Sequence, residues 1–89
     1  MSQGIPDYIM EFAEGAIVFD DCEDAIVGYG TRPGQDPLVI YDYDLLLDIQ
    51  MRGGLDLQDA IEYVDYNIVG LWAGERTPII LYRPYDRPK

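Results

Sequence analysis

Eighty-nine residues, 48% of them apolar, make one domain with a modest core and are too hydrophobic for a disordered acidic tail. Seventeen acids against six bases give a formal charge of −11, which repels nucleic acid and anionic lipid and steers the chain toward basic protein surfaces. The single Cys22 excludes an internal disulfide, the absence of histidine excludes a Cys/His zinc cluster, and no apolar run approaches the roughly 18 residues of a membrane span.

The charge is unevenly spread. Residues 1–74 hold fifteen acids and only Arg32 and Arg52, a net of −13, whereas residues 75–89 hold Glu75 and Asp86 against Arg76, Arg83, Arg87 and Lys89, a net of +2. The opening MSQGIPDYIM has neither the basic n-region nor the small-residue cleavage site of a secretory signal, so a cytoplasmic location is expected. Residues 1–14, ending YIMEFAE, suit a short helix or an extended arm. Residues 15–83 are expected to form a single domain, and 84–89 a basic, proline-containing tail.

Within the domain, GAIVF (15–19) reads as a short strand, followed by the acidic cluster DDCED and a second strand, AIVGYG (25–30). TRPGQDP is dense in turn formers, and LVIYD (38–42) is an apolar strand with a β-branched centre, so the two strands around it predict an antiparallel hairpin. YDLLLDIQMR (43–52) predicts a largely buried helix, capped by Asp42, with Asp44, Asp48 and Arg52 on its one wet edge and Gly53-Gly54 as its stop. The next helix starts at the N-cap Asp56, points Leu57, Ile61, Val64 and Ile68 at the core, and ends near Gly70. Its opposite face carries Asp59, Glu62, Tyr63 and Tyr66. LWA then continues extended, GERTP breaks the chain, and IILY forms a last strand. The order β-β-β-α-α-β-β predicts an α+β fold: a small, mainly antiparallel sheet with two helices packed on one face.

Catalytic and metal chemistry find little support. A calcium loop fails from Asp42, where positions 5 and 6 are Leu46 and Leu47, and from Asp20, where Asp24 at position 5 is followed by Ala25. GYGTRPG offers G-x-G without the helix that a phosphate loop requires. Cys22 has no histidine to activate it, and four flanking acids raise its thiol pKa. No catalytic, cofactor-binding or metal residue is assigned.

Binding fits the residue types better. Eight tyrosines and one tryptophan supply large contact area at low entropic cost. Tyr63 and Tyr66 among Asp59 and Glu62 suit a basic groove, where rings stack on arginine and carboxylates pair with it. The expected partner-binding residues are Asp59, Glu62, Tyr63 and Tyr66, then Asp20, Asp21, Glu23 and Asp24. The alternative is that the tyrosine face serves a homodimer.

From Asp20 to Leu81, and most specifically at GLDLQDAIEYVDYNIVGLWAGERTPIIL, the chain resembles a family of small acidic bacteriophage and prophage proteins. They share an acidic start, a strand, a YDYD step, a helix, a Gly turn and an A-I-E-Y…N…G-x-W-x-G-E-x-T-P ending. The resemblance transfers no catalytic residue and no cofactor. It implies a non-enzymatic protein that occludes a basic surface of a host protein, such as a CRISPR-Cas or other defence complex, as anti-CRISPRs and DNA mimics do. On that reading there is no direct nucleic-acid or membrane partner. The alternative it leaves is a homo-oligomeric accessory phage protein that self-associates through the tyrosine-rich helix face.

Overall fold

Tyr41-Asp42-Tyr43 is the point where a buried strand becomes a helix, and the fold is arranged around it. The computed structural model describes residues 4–83. Helix α1 (Asp7–Phe12) comes first, then a 3₁₀ turn over Glu23–Ala25, strands β1 (Ile26–Gly30) and β2 (Leu38–Asp42), and helix α2 (Tyr43–Arg52). Helix α3 (Leu57–Val64) runs into a π-turn over Asp65–Val69, and β3 (Ile79–Leu81) closes the order. The proposed tail, 84–89, lies outside the described residues.

The sheet order is β1-β2-β3. β1 and β2 form the expected antiparallel hairpin, with an irregularity between Ile26 and Gly28 that marks a bulge at Val27. β3 pairs parallel to β2, Ile40 opposite Ile79 and Leu81 opposite Asp42. The fold is α+β, but the sheet is mixed rather than mainly antiparallel. The reason lies in the connection: two helices between β2 and β3 return the chain to the start of β2, as a parallel crossover requires. Two further strands are absent. Ala16 to Phe19 are half-buried but irregular, and Phe19 N–H donates to the Tyr41 hydroxyl at 2.8 Å instead of joining a ladder. Leu71, Trp72 and Ala73 lie exposed outside the sheet.

Both caps form as the sequence predicts. Asp42 Oδ1 accepts from Leu45 N–H at 3.0 Å, and Asp56 Oδ1 from Asp59 N–H at 2.9 Å, each satisfying a donor that the helix cannot pair itself. α2 stops at Gly53, and Gly54 follows with φ +117°, a conformation that a side chain would strain.

The core is built from Val39 and Tyr41 of β2, Leu46 and Leu47 of α2, and Ala60, Val64 and Ile68 of the α3 segment. Ile9 and Ala13 from the N-terminal turn, with Cys22, Ala25 and Ile26, complete it. Leu57 departs from its predicted stripe and is 52% exposed, because Ala60 takes the inward position in the first turn. Tyr41 is fully enclosed against Phe19, with ring centroids 5.1 Å apart. Burial, then the Phe19 N–H as a smaller opposing effect, leaves the Tyr41 phenol pushed up to about 12.

Two arginines stitch the loops to this core. Arg76 Nε and Nη2 donate to the Pro37 carbonyl at 3.2 and 2.8 Å, and Nη2 to the Glu14 carbonyl at 3.3 Å. Its Nη1 lies 3.3 Å from where a Cβ on Gly15 would sit, so a side chain there would press on the fork. Arg83 approaches Asp42 Oδ2 at 2.5 Å. That oxygen has no well-aligned hydrogen bond, so the arginine charge is its compensation.

Removing Arg83 strands a carboxylate that is only 1% exposed. Arg83→Ala is expected to cost about 2 kcal/mol in urea unfolding, below the range for fully buried pairs because the guanidinium is half exposed. Asp42→Asn keeps a capping oxygen and discards the charge, so adding it to Arg83→Ala should recover about 1 kcal/mol. Simple additivity of the two costs would refute the pairing.

Tyr41 gives a pH prediction. Its folded pKa lies above the ordinary phenol value, so the unfolded chain releases the proton first. Stability from this group is therefore intact below about pH 10 and declines between about 10 and 12. Tyr41→Phe should flatten that decline while lowering neutral-pH stability by about 1–2 kcal/mol, because the Phe19 N–H loses its acceptor.

Candidate functional site

The acidic cluster is an anchored loop. Cys22 and Ala25, three positions apart, are buried in the core, while Asp20, Asp21 and Asp24 stay exposed and Glu23 is half-buried. Asp21 holds φ +63°, a left-handed conformation that aspartate tolerates better than most side chains. The 3₁₀ turn over Glu23–Ala25 then packs beside α2.

This placement brings the loop to α3. Asp20, Asp21 and Cys22 border an open depression of about 360 Å³ with Ile49 and Gln50 of α2 and Tyr63, Asn67 and Ile68 from the α3 segment. A second depression, about 300 Å³, is bordered by Asp21, Glu23 and Asp24 with Ile49, Arg52 and Gly53. The two share Asp21 and Ile49, so they adjoin along the C-terminal half of α2. Two groups of residues some forty positions apart in sequence thus form one surface.

α3 presents the rest. Asp59 and Glu62 are exposed, Glu62 accepting from the Gln58 amide at 3.2 Å. Tyr63 is 44% and Tyr66 84% exposed, as expected for the face turned from the core. Asp59, Glu62 and Tyr66 border neither depression; of the four expected α3 residues only Tyr63 does.

The π-turn was not foreseen. Gly70 N–H donates to the Asp65 carbonyl at 3.0 Å, and the Asn67 side chain donates to the Tyr63 carbonyl at 3.1 Å. An Asn that can bond a backbone carbonyl was the one available sequence signal, and it is a weak one. Three further residues, Tyr43, Asp65 and Tyr82, lie outside the expected binding set. The Tyr43 hydroxyl donates to Asp65 Oδ1 at 2.7 Å, and its ring meets that of Tyr82 at 4.9 Å. The aromatic-acidic surface therefore extends past α3 to the start of α2 and the end of β3. Only the tertiary fold places those three residues together.

Among the described residues, no three carboxylate or thiol side chains gather closely enough to hold a metal ion. Burial raises the Cys22 thiol pKa, and Glu23, Asp21 and Asp20 raise it further. No helix among the described residues is long and apolar enough to cross a membrane.

Cys22 serves as a reporter of this site. A charged disulfide reagent at pH 8 should label it far more slowly than an unstructured thiol, at a rate that rises with urea as the loop opens. Immediate labelling of the folded protein would mean that the acidic loop is not anchored as described. No protein-family model, curated protein or solved structure matches the chain.

Proposed function

We propose that the chain is a non-enzymatic binding protein that lays its acidic loop and α3 face against a basic groove of another protein. The observation that carries this reading is the convergence of Asp20 and Asp21 with Tyr63 on one surface. Residues 4–83 contain sixteen acids and four arginines, a net of −12, and Arg76 and Arg83 are engaged inside the molecule. The exposed face is thus strongly electronegative, with aromatic rings set into it. Such a surface complements a lysine- and arginine-lined groove: carboxylates form charge-assisted bonds and tyrosines stack on guanidinium groups.

A groove of that kind is built to hold nucleic acid, so the fitting partner is a nucleic-acid-handling protein, and the mode of action is occlusion. The phage resemblance extends the proposal to a host defence complex, CRISPR-Cas among them, with the carboxylates standing in for phosphates as in a DNA mimic. The anchoring of the loop by Cys22 and Ala25, and of α3 by its Asp56 cap, favours a rigid array over a flexible acidic tail.

Self-association through the same tyrosines is the alternative. It is disfavoured because two copies meeting at α3 would oppose Asp59 and Glu62 with their own equivalents.

The test begins with a protein captured from a bacterial lysate and purified, and measures its affinity for the wild-type chain and for Asp59→Lys/Glu62→Lys. The double reversal should weaken binding at least about 30-fold while leaving the circular dichroism spectrum unchanged. Duplex DNA should compete with the wild-type chain for that partner. Affinity independent of salt between about 0.05 and 0.3 M would sink the electrostatic reading.

A further inference from the structure

The sheet has two unlike faces. Val39, Tyr41 and Ile80 point into the core, while the register places Gly28, Gly30, Leu38, Ile40, Ile79 and Leu81 on the opposite face. None of these four larger apolar side chains belongs to the core, and Ile79 and Leu81 are each more than a third exposed. The two glycines leave β1 flat there, and Ile40 Cδ1 lies 3.1 Å from where a Cβ on Gly30 would sit.

At one end this face dips into a depression of about 270 Å³, floored by Gly30, Leu38 and Ile79. Trp72, 72% exposed, stands at its edge. The rim carries Arg32 and Arg76 with Asp36 and Glu75, a balanced set, and Arg76 lies 3.9 Å from Asp36. At the other end, the Asp42 charge is met by Arg83.

We propose that this open sheet face is a homodimer interface, with the Trp72 indole of each copy seated in the depression of the other. The charge distribution selects a second copy as the occupant. Outside the rim, the described residues hold fourteen acids against Arg52 and Arg83 alone, so the rim region is neutral and the rest carries the whole −12. Two identical acidic molecules repel least when they meet across a neutral patch. A two-fold arrangement also lets Arg32 of one copy face Asp36 or Glu75 of the other, the self-complementarity that an isologous interface demands. A basic partner of the kind proposed above finds no excess negative charge here, and its own surface on α3 stays free.

Sedimentation of the full chain tests this. A dimer is expected at micromolar concentration, tightening as salt screens the repulsion between copies, with Trp72 fluorescence shifting to the blue on association. Trp72→Ala should weaken it about 30-fold, the loss typical of one aromatic hot spot. Arg32→Glu, in an exposed turn, should also weaken it and provides a second variant should Trp72→Ala misfold. Tyr66→Ala should leave it unchanged. A chain that stays monomeric up to millimolar concentration would overturn the proposal, whether residues 84–89 or an unrelated protein then cover the face. So would a dimer lost in Tyr66→Ala but retained in Trp72→Ala.

Discussion

A carboxylate almost wholly removed from water at the end of the central strand is the constraint on which the fold depends. Asp42 belongs to β2, caps α2 through Oδ1 and meets Arg83 through Oδ2. One side chain therefore fixes where the strand stops, where the helix starts and where the chain lies after β3. Burying a charge is costly, and the α2 N-terminus and the Arg83 guanidinium stand beside this one to offset the cost. Tyr41 and Tyr43 on either side serve opposite purposes, one sealing the core and the other reaching out to Asp65.

Local chemistry made a good part of this legible from the sequence. α2 spans the residues that its apolar pattern and flanking glycines predict, and Asp42 and Asp56 cap the helices as aspartates at those offsets should. The hairpin follows from two strands around a Pro-Gly turn. What failed was non-local. GAIVF has strand composition, but the Phe19 N–H donates to the Tyr41 hydroxyl and the segment joins no ladder. The parallel pairing of β3 depends on the route of two helices through space, which no periodicity encodes. The stripe of large residues points Leu57 inward, whereas a small residue, Ala60, is the one fully buried in that turn.

The site divides in the same way. Exposure of Tyr63, Tyr66, Asp59 and Glu62 follows from helical period, since they lie opposite the buried stripe. That Asp20 and Asp21 sit beside Tyr63 could not be read, because α2 intervenes and its orientation is a tertiary fact. The grouping of Tyr43, Asp65 and Tyr82 was illegible for the same reason: their contacts span some twenty to forty residues. Acidity was obvious from composition, whereas its segregation from a neutral sheet face was not.

The Arg76 fork has one more consequence. It holds the carbonyls of Glu14 and Pro37, sixty-two and thirty-nine residues earlier in the chain, on either side of the exposed turn at Pro33-Gly34. A backbone cut in that turn would break none of the β1–β2 ladder, the fork or the shared core. Chain continuity there supplies loop-closure entropy and no contact of its own. The described chain is in that sense two interlocking pieces, 4–34 and 35–83, joined at a seam that could be opened without dismantling either surface.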